Sequence, residues 1–255
     1  MSDGDAPILE FDPDPTAYVE PHQVIDPEMR APERVILCFF RSVIERLADE
    51  GAPVAVELEA AHGFHPIYEI DVDGQRVGVF HPGVGAPLAA AFFEEAIAHG
   101  ARRFMAVGTA GGLVPSLTVG HAVLTTSAIR DEGTSYHYLP PARSAAPTAE
   151  AVAALETVLR RHRVPFVAGA TWTTDGFYRE TRAKVARRVE EGCITVEMEA
   201  AALFAVAAFR RVPLAMLLTT SDDLSGDDWS GFSDGTDHDG RWQLFQLAAE
   251  AVLAL

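Results

Sequence analysis

The sequence predicts a single α/β domain of three layers, in which a central mixed, mostly parallel sheet lies between helices. Short apolar runs alternate with helical patterns along most of the chain, as is typical of such sheets. Asp73-Gly74 separates two apolar alternating segments and predicts one tight hairpin. The 255 residues, 48% hydrophobic and 22% charged, have the composition of a globular protein with a sizeable core.

The chain divides into an expected N-terminal arm, residues 1–32, and a folded domain, residues 33–255. The arm is rich in Pro and Asp and has no sustained period, which indicates an extended segment. Its first ten residues are acidic and lack the basic and apolar regions of a secretory signal. No run reaches the roughly 18 apolar residues of a membrane span. A cytoplasmic location is therefore expected.

The predicted elements of the first half begin with a buried strand that leads into a helix. In order they are a strand at 34–40, a helix at 42–47, paired strands at 68–72 and 75–80, a helix at 86–99 and a strand at 104–107. A run of small residues at 108–112 follows the last strand and predicts a loop.

The second half continues the alternation. Its predicted elements are a strand at 122–126, a helix at 148–162, a strand at 166–173, helices at 179–191 and 197–210 around a short strand, a strand at 214–220 and a helix at 241–255. Ligands of such sheets bind outside the carboxyl ends of the strands. The segments 108–112, 174–178 and 221–226 are therefore the candidate binding loops.

The net charge of −17 disfavours nucleic acid and anionic membranes as partners, because both carry negative charge. A small neutral substrate remains compatible. An anionic co-substrate would need cationic or N–H donor groups placed locally. Only two cysteines are present, and Cys38 lies within an apolar run, so no disulfide framework is indicated.

Two acidic patterns carry candidate chemistry. Glu197 and Glu199 stand at the start of an alanine-rich helix, where a carboxylate can accept hydrogen bonds from the vicinal hydroxyls of a sugar. The alternative is a pair of surface groups that complement the helix dipole. Asp222 and Asp223 end an apolar strand, where like charges raise the pKa of at least one carboxyl and allow it to act as an acid. The alternative is a capping cluster.

No metal site is expected. His62 and His65 have the spacing His-x-x-His without a third ligand nearby, and an exposed loop pair explains them better. The acidic segment 227–240 lacks the first and twelfth ligands of a calcium loop. It is expected to be a solvated loop near the site.

Five stretches, in order and spacing, resemble the nucleoside phosphorylase family, which includes purine nucleoside phosphorylase, uridine phosphorylase and the methylthioadenosine-type nucleosidases. The resemblance covers about residues 77–255. The stretches that carry it are residues 83–87, 107–113, 125–140, 174–178 and 196–202.

The resemblance implies a role for each matching residue. Asp222 would be the catalytic acid that protonates the leaving base. The other implied roles are ribose binding by Glu199 and Met198, base binding by Phe177, Val196, Ala110 and Gly111, and phosphate binding by Thr109, Gly108 and Arg41.

The implied reaction is phosphorolysis of a purine nucleoside to free base and ribose 1-phosphate, a salvage activity. Inorganic phosphate would be the co-substrate, no cofactor would be needed, and the protein would be a homo-oligomer. Uridine-acting members carry a Gln and an Arg after the Phe-Tyr pair, whereas Phe177-Tyr178 is followed by Arg179-Glu180-Thr181, which favours a purine.

The phosphate-binding pattern departs from the family. Phosphorylases carry Gly-Asp-Pro-x-Arg after the first strand, where this chain reads Leu37-Cys38-Phe39-Phe40-Arg41. A second family arginine is replaced by Ala106. Two alternatives to phosphorolysis therefore stay open, which are a nucleosidase that uses water and a degenerate member that only binds a nucleoside.

Overall fold

The computed structural model describes residues 6–61, 63–117, 119–231 and 238–255. His62 of the histidine pair and residues 232–237 of the acidic segment lie outside the described residues. The strands within these ranges are β1 (Arg34–Cys38), β2 (Val54–Ala60), β3 (Gly63–Val72), β4 (Gln75–Phe80), β5 (Arg103–Gly112), β6 (Ala122–Asp131), β7 (Ser144–Ala145), β8 (Phe166–Thr174), β9 (Cys193–Glu197) and β10 (Leu214–Asp223). The α-helices are α1 (Pro21–Val24), α2 (Arg41–Asp49), α3 (Ala86–Ala98), α4 (Ala149–Arg161), α5 (Arg182–Glu190), α6 (Ala200–Arg210) and α7 (His238–Val252).

The mixed α/β class is confirmed, and the predicted hairpin is present. β3 and β4 pair antiparallel with Val72 opposite Gln75. The two turn residues, Asp73 and Gly74, have φ of 51° and 76°, the left-handed values that a two-residue turn between twisted strands requires. β2, which was not predicted, is an edge strand that pairs only with β3 among the described residues.

The sheet is mixed, but parallel pairings do not predominate. Five of the ten pairings are parallel and five are antiparallel among the described strands. The order is β10-β6-β8-β9-β5-β1-β4-β3-β2, with β7 on β6, and β10 also pairs with β5. Five strands therefore close into a ring, β5-β10-β6-β8-β9, from which β1 to β4 extend as an open sheet. This closure brings antiparallel neighbours into a sheet predicted to be mostly parallel.

Helices pack against both faces of the open sheet. Val35 and Leu37 of β1 belong to a hydrophobic cluster with residues of α3 and α6, whereas Ile36 and Cys38 belong to one with residues of α2, α4 and α7. Successive side chains of a strand point to opposite faces, so each cluster covers one face. No helix in the described ranges is long and apolar enough to cross a membrane.

Candidate active site

Gly111, at the end of β5, is the point where three strands of the ring meet. It pairs with Val196 of β9 and with Asp222 of β10. A Cβ atom at Gly111 would lie 2.6 Å from Leu224 Cδ1, 3.1 Å from Val196 Cγ1 and 3.4 Å from Asp222 Oδ2. A side chain at this position would collide with its neighbours, so the glycine allows predicted base-site and acid residues to converge.

Glu199 is buried at the N-terminal end of α6. Its Oε1 accepts a hydrogen bond from the backbone N–H of Gly85 at 2.6 Å. Gly85 lies in the turn between β4 and α3 and has φ of 92°, a left-handed value that favours glycine. The predicted ribose-binding carboxylate is therefore joined to the segment 83–87, another stretch that carries the family resemblance.

Glu197 also belongs to this site, although no separate role was predicted for it from the sequence. Its Oε2 accepts from the N–H groups of Glu199 and Ala200 at 2.7 and 2.6 Å, and its Oε1 accepts from Thr173 Oγ1 at 2.5 Å. The buried carboxylate thus caps the start of α6 and holds the backbone of Glu199 in place. The feature of the sequence that could have indicated this role is the run Glu-Met-Glu, in which Glu197 stands two residues before Glu199.

Both carboxyls have raised pKa values, chiefly because they are buried. Burial raises the pKa of Glu197 to about 7. Burial, and next the charge of Glu197, raise the pKa of Glu199 to about 8. A ligand that donates hydrogen bonds to Glu199 would stabilise its ionised form.

Asp222 lies buried on the other side of Gly111. Its Oδ1 accepts from Ser221 Oγ at 2.9 Å, and its Oδ2 accepts from Trp229 Nε1 at 3.0 Å. A second carboxyl, Glu180, is half-buried nearby. Burial first, and the charge of Asp222 next, raise the pKa of Glu180 to about 7.

A cavity of about 640 Å³ lies between α5 and the segment that follows β10, and Asp222 and Glu199 are not part of its wall. Trp229, which bonds to Asp222, and Leu224, which contacts Gly111, are both part of its wall, as is Glu180. Leu113, Val114 and Val185 supply apolar surface. The volume falls within the range of small-molecule sites, roughly 300–1,000 Å³.

The remaining predicted base and ribose residues lie at the same edge of the sheet. Phe177 follows β8, whose Thr173 pairs with Glu197. Phe177 is 46% exposed, and its ring lies against the ring of Tyr178 with 3.9 Å between the two ring centroids. Ala110 is buried, opposite Thr220 of β10, and Met198 is half-buried beside Glu199. Their contacts with a ligand stay predictions.

The predicted phosphate residues are not gathered around a cation. Arg41 has a side chain that is 85% exposed, and its Nε donates to Glu45 at 2.6 Å, one helical turn away. Thr109 is half-buried on β5. Gly108 is covered by Phe39, whose Cβ would lie 3.3 Å from a Cβ atom at Gly108.

His81 lies next to Phe39 on this side of the site. Its Nδ1 accepts from the N–H of Gly83 at 3.0 Å, and its ring meets that of Phe39 edge-on at 5.8 Å. Burial, and next the proximity of His65, lower the pKa of His81. The surroundings of His81 therefore favour a neutral imidazole.

The two cysteines are buried and unbridged. Burial raises the pKa of Cys38 and that of Cys193 to about 12. Since the thiolate is the reactive form, neither thiol is suited to nucleophilic chemistry. Among the described residues, no cluster of three or more His, Cys, Asp or Glu could hold a metal ion.

Comparison with known proteins places these features in a family. The family model for the phosphorylase superfamily matches residues 33–253. The chain is 32% identical to a uridine phosphorylase of Treponema pallidum (strain Nichols), over 80% of this chain and 87% of the relative. It is 30% identical to a DeoD-type purine nucleoside phosphorylase of Exiguobacterium sibiricum, over 66% of this chain and 71% of the relative. A guanosine phosphorylase of Halorubrum lacusprofundi is 29% identical, over 69% of this chain and 73% of the relative.

The fold is similar to that of a solved structure as well. The crystal structure of purine nucleoside phosphorylase from Toxoplasma gondii, in complex with immucillin-H, aligns with a TM-score of 0.73. The alignment covers 87% of this chain and 90% of that one, at 20% sequence identity. At that identity the likeness supports the fold alone.

Proposed function

The chain belongs to the phosphorylase superfamily, and on that premise we propose that it cleaves the N-glycosidic bond of a nucleoside with inorganic phosphate. The products are a free base and ribose 1-phosphate. One observation carries the proposal: Gly111 of β5 pairs with Val196 of β9 and with Asp222 of β10, so Asp222 and the strand that leads into Glu199 meet at one end of β5. The uridine, purine and guanosine phosphorylases among the relatives support it.

Glu199 receives the ribose in this proposal. A carboxylate only accepts hydrogen bonds. The two vicinal hydroxyls of a ribose can each donate one, so they are suitable partners for it. The carboxyl of Glu199 accepts from Gly85, and its backbone N–H is held by Glu197 at the capped start of α6. Met198, adjacent to it and half-buried, forms the wall beneath the sugar.

Asp222 donates a proton to the leaving base. Breaking the bond leaves an oxocarbenium-like ribose and an anionic base, and protonation removes the second charge. We propose purine nucleosides as the substrates, because Arg179-Glu180-Thr181 replaces the Gln pattern of uridine-acting members. Phe177, Val196, Ala110 and Gly111 form the base site, with Phe177 stacking on the ring.

Hydrolysis is a second candidate, favoured by the phosphate side of the site. Phe39 covers Gly108, Ala106 stands where the family has an arginine, and Arg41 is engaged with Glu45 at the surface. A phosphate dianion needs charge-assisted donors, and the side chains of Phe39 and Ala106 supply none. Water needs no such donors. Thr109 and Gly108 are the residues left to bind phosphate if phosphorolysis occurs.

Phosphate dependence separates the two candidates. We expect inosine or guanosine turnover to rise with phosphate and to saturate, with ribose 1-phosphate as the sugar product. The measurement is base release with and without phosphate in a phosphate-free buffer, together with identification of the sugar. Uridine in parallel tests the purine assignment. Equal rates without phosphate and free ribose as product would establish the hydrolytic candidate instead.

Replacing Phe177 with alanine should weaken nucleoside binding by about 1–3 kcal/mol, the typical contribution of stacking between a base and an aromatic ring. Tyr178→Ala is the matched control, because Tyr178 is 87% exposed and neighbours the same ring. The check is the Kd of a nucleoside measured by titration calorimetry. An unchanged Kd in Phe177→Ala would remove this ring from the base site.

We also propose that the protein is a cytoplasmic homo-oligomer in which the arm, residues 1–32, contacts a second copy. Tyr18 is fully exposed, and Val19 and Val24 are 64% and 62% exposed. Apolar side chains grouped on one segment in this way are typical of protein interfaces.

A further inference from the structure

The acid Asp222 is contacted by an aromatic residue that lies outside the family motifs. The indole Nε1 of Trp229 donates to Asp222 Oδ2 at 3.0 Å. Ser221 donates to the other oxygen at 2.9 Å, so each oxygen of the carboxyl has its own donor. Together the two bonds fix the rotation of the carboxyl group relative to Gly111.

A short hairpin brings Trp229 to this position. Asp223 and Ser230 form an antiparallel bridge with backbone hydrogen bonds of 3.2 and 3.1 Å in the two directions. The ring of Trp229 packs on Gly231, where a Cβ atom would lie 3.1 Å from it. Arg182 of α5 bonds to the carbonyl of Asp227 within the same loop. The loop that carries Trp229 is thus held by its bridge to β10 and by Arg182 of α5.

An indole N–H is a suitable hydrogen-bond partner for a carboxyl group that acts as an acid. It is neutral, it only donates, and it does not ionise near neutral pH. Its bond strengthens as Asp222 passes from the neutral acid to the carboxylate, because hydrogen bonds to charged groups are stronger. It therefore favours the state in which the proton has moved to the base.

We propose that Trp229 is the positioning residue of the acid: it orients Asp222 toward the leaving base and stabilises the carboxylate formed when the proton is transferred. The role of Trp229 in proton transfer rests on the proposed function. The contact itself is independent of any substrate.

The contact is tested by the indole N–H signals of ¹⁵N-labelled protein. The chain has three tryptophans, and Trp229→Phe identifies the signal of Trp229 by its loss. In Asp222→Ala that signal should move upfield, because its acceptor is gone. The signal of Trp172 is the internal control, since its indole bonds to Asp131 at 3.0 Å and should not move. An unmoved Trp229 signal would overturn the inference.

The role is tested by kinetics of Trp229→Phe, which keeps a ring but loses the N–H. We expect kcat for ordinary purine nucleosides to fall roughly 10-fold or more, as for a lost hydrogen bond to a charged group, with KM little changed. 7-Methylpurine nucleosides, whose base already carries the positive charge, should lose far less. Trp242→Phe is the control, because Trp242 packs on Arg46 and Phe245.

Two results would contradict the role. An equal loss on both substrates would indicate a packing defect, and an unchanged kcat would show that the indole does not assist the acid. A wild-type protein that turned over no nucleoside, with or without phosphate, would contradict the proposed function instead. The indole signal would still decide whether Trp229 holds Asp222.

Discussion

Replacing Asp222 with alanine should lower turnover of ordinary purine nucleosides by about 10²–10⁴-fold, the usual contribution of general acid catalysis. Turnover of 7-methylpurine nucleosides should fall far less, because their base leaves without a proton. Both substrates need the ribose contacts and the base site, so the difference isolates the proton transfer. The measurement is kcat/KM on both substrates, each with and without phosphate.

Asp223→Ala is the matched control for this experiment. Asp223 is the next residue on β10 and is half-buried, but its backbone pairs with Gly112 and Ser230 rather than with Gly111. It should retain most of the activity. Equal losses on both substrates in Asp222→Ala, or a wild-type enzyme active on uridine alone, would show that Asp222 is not the acid for a purine.

Glu199→Ala should leave the fold intact and lower kcat/KM by about 10²-fold or more, because bonds that strengthen in the transition state are lost from that ratio. The fold is checked by thermal unfolding and the ratio by initial rates. Glu156→Ala, on α4, is the control. Unchanged kinetics in Glu199→Ala would remove this carboxyl from the ribose site.

The raised pKa of Glu199, about 8, adds a dependence on pH. The acceptor form is the ionised one, so kcat/KM should rise with pH toward about 8, and Glu199→Gln should abolish that rise. Stability should change in the opposite sense. A carboxyl whose folded pKa lies above its unfolded value binds more protons when folded, so its contribution to stability declines as pH rises between the unfolded pKa of 4.5 and about 8. A rate that fell over this range would contradict the assignment.

Local sequence patterns predicted much of the fold because local chemistry determines it. The Asp73-Gly74 turn needs only its own two residues to adopt left-handed φ values. β5 is different. Its segment 108–112 reads as a glycine-rich loop, yet it is strand, because β9 and β10 supply hydrogen-bond partners that are distant in sequence. The ring of five strands depends on such long-range register and could not be predicted.

In the candidate site too, features set by local sequence could be predicted, whereas features that depend on long-range contacts could not. Glu199 and Asp222 belong to short motifs; Asp222 lies on β10 opposite Gly111, and Glu199 lies two residues after the end of β9, which also pairs with Gly111. Trp229 could not be predicted as a partner of Asp222, because the contact depends on how one hairpin folds back. Arg41 was predicted near phosphate from its position after β1, but the helix that begins there turns its guanidinium toward Glu45.

The ring of strands has one further consequence. A closed ladder has no terminal strand, so β5, β9 and β10 cannot fray one at a time or accept an added strand from another molecule. The open end at β2 can do both. Local opening of this protein should therefore begin far from Gly111, and amide protons around Gly111 should exchange with solvent only when several strands separate together. The ring keeps Asp222 and the strand that leads into Glu199 in register while the rest of the sheet fluctuates.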